Sequence, residues 1–367
     1  MKDRYYSYVG VKGDEKTGGV YSYKYQDNMV HCIKREAMLR GFTHLALSRD
    51  CKYLYATGKS KNEKDILQGY LIDPITCSLI KNGEVVLSTT NDVCHLHVSN
   101  DGRAIVITDF VDGAVQIHAI NADGSPGGLL KREALAGSST GPRQEKTHPH
   151  AAYFTPDDCF VLAVDLGANS VFSIAWNKEK NQFATVAKWE APAGVGPRHL
   201  AFHPNGKYVC VLTEITAEIF VLEYDKKTGI LTEKQRIGTL PPLLKDYIPP
   251  TGNETLLGSD YLAAADIAFS PEGKHLYVSL RAPRTITSFA VDEAGDLTPL
   301  GYCETVGRVR SIQVSQNGAY LFGVGEESRG SIGTLEVYDI AENGQAVCNR
   351  KDAKIQNAFV GALYEKA

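Results

Sequence analysis

Short apolar runs alternate with polar turns along most of the chain, and six stretches repeat one arrangement. In each, an apolar run leads into a turn with an acidic or amide residue, and a second apolar run rich in tyrosine and valine follows. The stretches are THLALSRDCKYLYATG, CHLHVSNDGRAIVITD, HAAYFTPDDCFVLAVD, RHLAFHPNGKYVCVLTE, ADIAFSPEGKHLYVSLR and RSIQVSQNGAYLFGVGE. Each stretch predicts a β-hairpin.

The six turns recur at a nearly constant interval. Their acidic or amide residues are separated by 51, 56, 48, 67 and 45 residues, and are Asp50, Asp101, Asp157, Asn205, Glu272 and Asn317. Further strand-like runs, such as AVQIHAI and SVFSIAW, follow the hairpins. A period of about 40–50 residues with four strands per unit is typical of β-propeller blades.

The two chain ends predict a seventh blade. The N-terminal runs YYSYVGVKG, GGVYSYKY and MVHCIKRE resemble three strands that lack an inner one, and the C-terminal NAFVGALYEK supplies it. We therefore predict one all-β domain over residues 1–367. It is a seven-bladed β-propeller of four-stranded blades, with the last blade closed by strands from both termini. Such closure protects sheet edges.

Composition narrows the class of protein. The 367 residues are 43% hydrophobic and 22% charged, with a net charge of −4. That charge is too small and mixed to favour nucleic-acid or membrane-surface partners. No apolar run approaches the ~20 residues of a membrane span, the N-terminus lacks a signal-peptide pattern, and the eight cysteines are scattered. We expect a cytoplasmic protein without a disulfide framework, a monomer or weak homodimer.

Propeller topology predicts where charged residues meet. In a blade, the start of the first strand and the end of the second lie on the same face of the disc. Counting back seven residues from each turn gives a ring at one channel mouth: Thr43, Cys94, His150, Arg198, Ala265 and Arg310. The second strands end just outside it, at Asp109, Asp165, Glu214, Arg281 and Glu326. Any one arginine–carboxylate pair could simply join neighbouring blades, but the set predicts a small-molecule site.

These segments resemble the seven-bladed lactonase propellers, a family that includes bacterial 6-phosphogluconolactonase and fungal carboxy-cis,cis-muconate cyclase. The resemblance rests on THPHAAYFTPDD, GPRHLAFHPNGKYV and ADIAFSPEGKHLYVS, and it extends essentially from end to end. It implies a metal-independent site built from His150, Arg198, Glu214 and Arg281. The chain departs from the family pattern at Leu280 and Val309, where asparagine and proline are usual.

The resemblance and the residue chemistry together suggest roles. His150 has the intrinsic pKa of a general base, and Glu214 either orients it or acts as the base itself. Arg198 suits an oxyanion or an anionic substituent. Further substrate-binding candidates are Arg281, Arg284, Arg310 and Asp165. His199 lies one position off the ring and is assigned a structural role.

The leading functional prediction is hydrolysis of an anionic sugar lactone, as by the 6-phosphogluconolactonase of the pentose phosphate pathway, without a cofactor. A muconate-type cycloisomerase, a lactonase for another acid lactone, and a non-catalytic binding scaffold are the alternatives. The pairs His148/His150 and His95/His97 have the spacing of two zinc ligands, but no third ligand is specified. The insertion at 239–262 is either a rim or lid of the site or a plain surface loop.

Overall fold

The computed structural model describes residues 5–89, 93–244, 264–326 and 332–365, and these form seven antiparallel sheets of four strands each. The inner strands of successive sheets contact one another in sequence, and the last contacts the first. This arrangement makes a closed ring of seven blades around a central channel. The predicted seven-bladed propeller is confirmed.

The N-terminal strands are β1 (Tyr5–Val11), β2 (Gly19–Gln26) and β3 (Met29–Met38). The first blade follows with β4 (Arg40–Leu47), β5 (Tyr53–Lys59), β6 (Asp65–Ile72) and β7 (Leu79–Val86). The second contains β8 (Val93–Val98), β9 (Ala104–Asp109), β10 (Ala114–Ile120) and β11 (Pro126–Ala134). The third contains β12 (Pro149–Phe154), β13 (Phe160–Asp165), β14 (Ser170–Asn177) and β15 (Gln182–Glu190).

The fourth blade contains β16 (Pro197–Phe202), β17 (Tyr208–Thr213), β18 (Glu218–Tyr224) and β19 (Leu231–Gly238), followed by a short 3-10 turn at Pro242–Leu244. The fifth contains β20 (Ala264–Phe269), β21 (His275–Leu280), β22 (Thr285–Val291) and β23 (Leu297–Glu304). The sixth contains β24 (Arg308–Val314), β25 (Tyr320–Glu326), β26 (Ile332–Ile340) and β27 (Ala346–Gln356). The last strand is β28 (Ala358–Tyr364).

The seventh blade joins the two ends of the chain. Its strand order is β28-β1-β2-β3, so the C-terminal strand supplies the innermost position and the N-terminal strands supply the other three. The β1–β28 register runs from Tyr6 opposite Tyr364 to Val11 opposite Ala358. This confirms the predicted closure, in which β28 pairs with the edge of β1 that would otherwise be open.

Most of the six repeated hairpin turns share one pattern of hydrogen bonds. A Ser or Thr hydroxyl at the end of the first strand donates to a carboxylate or amide oxygen two residues later, as in Ser48 to Asp50 at 2.7 Å and Ser315 to Asn317 at 2.7 Å. That oxygen also accepts the backbone N–H two residues further on, at Lys52 and Ala319. Such local hydrogen bonds favour a tight turn over a continued strand.

Apolar packing between blades holds the ring together. Strands β9 and β13 are buried along their whole length, because the middle of each sheet is covered on both faces. One apolar cluster joins Leu162 and Val164 of the third blade to Val209, Val211 and Phe220 of the fourth. The blade interfaces are therefore the core of the protein.

Every inner strand carries a β-bulge near its start. In β12 the pairing skips from Pro149 to Ala151, so His150 has no partner of its own. In β16 the skipped residue is Arg198. In β4 the unpaired stretch is longer and includes Thr43. The skipped residues of the other inner strands are Cys94, Ala265, Arg310 and Phe359. Bulges turn the extra side chain away from the regular pleat, and here they occupy the predicted ring positions.

Three further expectations concern membrane-spanning segments, disulfides and the insertion at 239–262. No helix within the described ranges is long and apolar enough to cross a membrane. No disulfide joins the cysteines whose side chains are described. The predicted rim or lid at 239–262 falls mostly on residues 245–263, which lie outside the described part of the chain.

Candidate functional site

A cavity of about 830 Å³ occupies the channel and opens at the mouth where the inner strands begin. Its lining includes five of the six predicted ring residues, with Ala265 as the exception, and it also includes Phe359 of the seventh blade. Among the described lining residues, six are cationic and three are carboxylates: Lys12, Arg143, Arg198, Arg281, Arg308 and Arg310 against Glu214, Asp266 and Glu326. The mouth is therefore positive although the chain is acidic overall.

The carboxylate of Glu214 is the centre of the charged network. It is 3% exposed and accepts hydrogen bonds or ion pairs from three guanidinium groups. Arg198 Nε lies 2.8 Å from Oε2, while Arg143 Nη2 and Arg281 Nη2 lie 2.8 and 3.0 Å from Oε1. These arginines come from three different segments: β16, the loop before β12 and the end of β21. The relative positions of the blades therefore bring these three arginines together around Glu214.

Electrostatics keep this carboxylate ionised. Burial alone would raise the pKa of Glu214, but the guanidinium groups of Arg143, Arg281 and Arg198 outweigh burial and hold that pKa well below its usual range. Burial and the neighbouring Arg281 lower the pKa of Arg198 to about 9. Glu214 is thus a fixed negative charge at physiological pH.

Arg198 is enclosed more completely than expected from the sequence. Its side chain is 2% exposed, and besides Glu214 it donates through Nη1 to the carbonyl oxygen of Ala265. Both contacts anchor the guanidinium between the fourth and fifth blades. The side chain of Arg281 is more accessible, at 10% exposed.

His150 lies beside this cluster as a neutral imidazole. Burial lowers its pKa well below the ordinary value, and Arg198 lowers it further, while Glu214 opposes both. Its Nε2 lies 3.8 Å from Glu214 Oε2. Its Nδ1 is enclosed and has no hydrogen-bond partner among the described residues. A buried polar atom without a hydrogen bond destabilises the folded protein. Groups in such unfavourable environments are typical of functional sites.

A belt of histidines lines the channel below the mouth. His199 follows Arg198 on β16, and its Nδ1 lies 2.8 Å from Asp266 Oδ1 of the fifth blade. Its ring centre lies 5.3 Å from that of His150 and 5.5 Å from that of His95. His199 thus lines the cavity next to the ring, so its side chain is part of the site wall as well as of the blade interface.

Two predicted substrate-binding residues do not line the cavity. Asp165 pairs with Pro149 across the blade and is fully buried, with Oδ1 accepting the backbone N–H of His148 and Ala168 at 2.8 and 2.7 Å. By blade register the counterpart of Glu214 in this blade is the next residue, Leu166, whose backbone N–H donates to the carbonyl oxygen of His148. Arg284 is exposed and donates to the carbonyl oxygen of Val306 at 3.1 Å. The placement of both residues at the substrate cavity was wrong.

Several lining residues were missed by the sequence reasoning, among them Arg143, Phe110, Phe359 and Lys12. Arg143 comes from an irregular loop with no repeat register to signal it. The other three hold positions equivalent, by blade register, to predicted ones, but the prediction covered only six blades and selected polar residues. Extending the blade register to the seventh blade would have identified Phe359 and Lys12.

The two histidine pairs do not behave as metal ligands in the described residues. Both ring nitrogens of His148 are engaged, Nδ1 with the carbonyl oxygen of Phe110 at 2.9 Å and Nε2 with Glu145 at 3.0 Å. The bulge at His150 breaks the alternation that would align the pair on one face. Within the described ranges, no group of three or more His, Cys, Asp or Glu side chains is placed to hold a metal ion.

Comparisons with known proteins agree with this geometry. The family model described as "Lactonase, 7-bladed beta-propeller" matches residues 6–358. A Bacillus subtilis protein named 6-phosphogluconolactonase is 28% identical over 308 residues, covering 83% of each chain. A protein of that name from Pectobacterium carotovorum is 29% identical over 260 residues, covering 70% of each. A crystal structure of a Lactobacillus plantarum protein superposes with a TM-score of 0.85 at 25% identity over the whole of both chains. The chain belongs to the seven-bladed β-propeller lactonase family.

Proposed function

We propose that the protein hydrolyses the ester bond of a phosphorylated sugar lactone, with 6-phosphogluconolactone as its substrate. The observation that carries the proposal is the neutral His150 beside a Glu214 carboxylate surrounded by three guanidinium groups, at the mouth of a positive cavity. Named relatives in the family support the same substrate. The reaction would serve the pentose phosphate pathway in the cytoplasm, as the sequence predicts.

The separation of His150 and Glu214 supports an attacking water held between them. Their facing atoms are 3.8 Å apart, and a water can hydrogen-bond to both at once, since two bonds of about 2.8 Å span that separation. One water hydrogen points to His150 Nε2 and the other to Glu214 Oε2. Two fixed acceptors orient the water oxygen toward a lactone carbonyl carbon.

Proton transfers then balance within the site. As the water oxygen attacks the carbonyl carbon, its proton moves to His150 Nε2, and negative charge develops on the carbonyl oxygen. Arg281 stabilises that charge with a charge-assisted hydrogen bond. The ring C–O bond breaks, and the His150 imidazolium returns its proton to the leaving alkoxide. A lowered histidine pKa makes this return favourable.

The protonation states favour hydrolysis over the muconate-type cyclisation. Cyclisation needs an acid that delivers a proton to carbon. Glu214 is held ionised and His150 neutral in the free protein, so neither group carries an acidic proton. A non-catalytic scaffold is also disfavoured, because it gains nothing from three guanidinium groups and an unpartnered imidazole nitrogen at the channel mouth.

A lactone panel tests the proposed function. Purified protein is mixed with 6-phosphogluconolactone, gluconolactone and a muconolactone, and product formation is followed by NMR against the spontaneous reaction. We expect the highest kcat/KM for the phosphorylated lactone, because only it brings a dianion to the positive mouth. Preferential formation or consumption of the muconolactone would instead favour the cycloisomerase.

The pH profile tests the state of His150. Because its pKa lies below the ordinary 6.5, the imidazole stays unprotonated as the pH falls through neutrality. A general base works only when unprotonated, so the acid limb of kcat/KM, which reports the free enzyme, is expected below pH 6.5. An acid limb at or above that value would contradict the assignment.

A further inference from the structure

Two imidazoles of the channel wall are enclosed by the protein and still line the cavity. His95 is 5% exposed and His199 is 7% exposed, and both belong to the cavity lining. Their ring centres lie 5.5 Å apart, with the ring planes inclined at 73°. Among the described residues, each ring makes its hydrogen bond through Nδ1, which leaves Nε2 for a ligand in the cavity.

The protein fixes the protons of these two rings on opposite nitrogens. The backbone N–H of Ala152 donates to His95 Nδ1 at 3.4 Å, so the proton of a neutral His95 is on Nε2. His199 Nδ1 donates to the carboxylate oxygen Oδ1 of Asp266 at 2.8 Å, so the proton of His199 is on Nδ1. His95 Nε2 is therefore a donor and His199 Nε2 an acceptor.

Asp266 holds the acceptor ring in place. Besides His199, its oxygens accept the backbone N–H of Ile267 at 3.0 Å and of Ile312 at 2.9 Å. Ile312 belongs to the sixth blade, so the carboxylate is fixed from two blades at once. Asp266 thereby sets both the tautomer and the orientation of the His199 ring.

Both imidazoles are neutral at physiological pH. Burial lowers the pKa of His95 well below its ordinary value, and the neighbouring His44 lowers it further. Burial and Arg198 also lower the pKa of His199, against the hydrogen bond to Asp266, which raises it. A neutral donor beside a neutral acceptor matches a hydroxyl group, which donates one hydrogen bond and accepts another.

The two imidazoles lie next to the hydrolytic group. The ring centre of His199 is 5.3 Å from that of His150, which faces the attacking water. A lactone carbonyl carbon at that water has its neighbouring ring carbon one bond away, within reach of the two rings. Two hydrogen bonds of about 2.9 Å through one oxygen span up to about 5.8 Å, which suits ring centres 5.5 Å apart.

We propose that His95 and His199 form a subsite for the hydroxyl group on the carbon next to the lactone carbonyl, with His95 Nε2 as donor and His199 Nε2 as acceptor. The inference rests on the proposed function for the position of that carbonyl. It makes the two histidines specificity residues for 2-hydroxy lactones. A muconolactone lacks this hydroxyl and would leave both nitrogens without a partner, which a site built to bind a hydroxyl strongly disfavours.

Equilibrium binding tests the subsite without relying on turnover. Binding of 6-phosphogluconate and of its 2-deoxy analogue is measured by calorimetry on the wild-type chain, His95→Asn and His199→Asn. Asparagine places an amide atom where Nδ1 was, so it keeps a partner for Ala152 or Asp266 while removing Nε2. We expect the wild type to bind the 2-hydroxy acid at least about tenfold more tightly, and each variant to lose most of that preference.

The matched control is His97→Asn. His97 Nδ1 accepts the backbone N–H of Phe154 at 3.2 Å, the same kind of contact as in His95, and its ring contacts those of Tyr153 and Phe154. This variant should keep the wild-type preference. Equal binding of the two acids by the wild type, absent binding included, or an unchanged preference in both His95→Asn and His199→Asn, would overturn the subsite.

The subsite and the proposed function fail separately. A hydroxyl-dependent preference without lactone hydrolysis would uphold the subsite while refuting the proposed function. Rapid lactone hydrolysis with equal binding of the two acids would uphold the function while refuting the subsite.

Discussion

Replacing His150 with glutamine is expected to lower kcat/KM for 6-phosphogluconolactone by about 10²- to 10⁴-fold, the usual contribution of a general base. Glutamine keeps polarity at the mouth but cannot accept and return a proton. The effect should fall mainly on kcat, because the cationic residues that line the mouth, Arg281 and Arg310 among them, are unchanged. Steady-state kinetics with the spontaneous rate subtracted gives the measurement.

The control for this variant is His97→Gln. His97 is partly buried and lines the same cavity, but its Nδ1 accepts the backbone N–H of Phe154 at 3.2 Å and it lies deeper in the channel. Its variant should keep kcat near the wild-type value. Equal losses in the two variants, accompanied by equal losses of thermal stability, would show that His150 acts through packing alone.

Replacing Glu214 with glutamine is expected to lower the free energy of unfolding by about 3–5 kcal/mol, as when one partner of a buried ion pair is removed. Three guanidinium groups would then face one another without their carboxylate, and burial leaves little solvent to screen them. Activity should fall as well, because the water loses an anionic acceptor. Urea unfolding followed by circular dichroism gives the stability.

Two further variants test whether the loss of stability comes from the charge network around Glu214 or from a general disturbance of the fold. Glu326→Gln removes a mouth carboxylate that lies 3.2 Å from Arg310 Nη1 and should cost only about 1 kcal/mol or less. Adding Arg143→Gln to Glu214→Gln should recover part of the loss, since one uncompensated cation is removed. Additive losses in the double variant would contradict a charge-coupled cluster.

The repeat made the fold predictable from sequence. Six turns, most of them about 50 residues apart, specified the hairpins, and the tyrosine-rich ends specified the closing blade. The same register placed His150, Arg198 and Arg310 at one mouth, because the count back from each turn landed on the bulge residues. Regular spacing carries this information without any knowledge of side-chain contacts.

Residues outside that regularity were not predictable. Arg143 reaches Glu214 from a loop with a positive φ of 61° at that residue, and loop geometry has no sequence period. Asp165 was misplaced because it is the last paired residue of β13, opposite Pro149, and the position equivalent to Glu214 falls on the next residue, Leu166. The enclosure of Arg198 depends on the carbonyl oxygen of Ala265 from the next blade, a contact that backbone packing decides.

The central claim is that the His150–Glu214 pair activates water to open a phosphorylated sugar lactone. Its most direct measurement is the rate of 6-phosphogluconolactone hydrolysis by the wild-type chain and by His150→Gln, each compared with the spontaneous reaction at the same pH. The account predicts rapid hydrolysis by the wild type and a rate close to spontaneous for the variant. Wild-type hydrolysis no faster than the spontaneous reaction would contradict it.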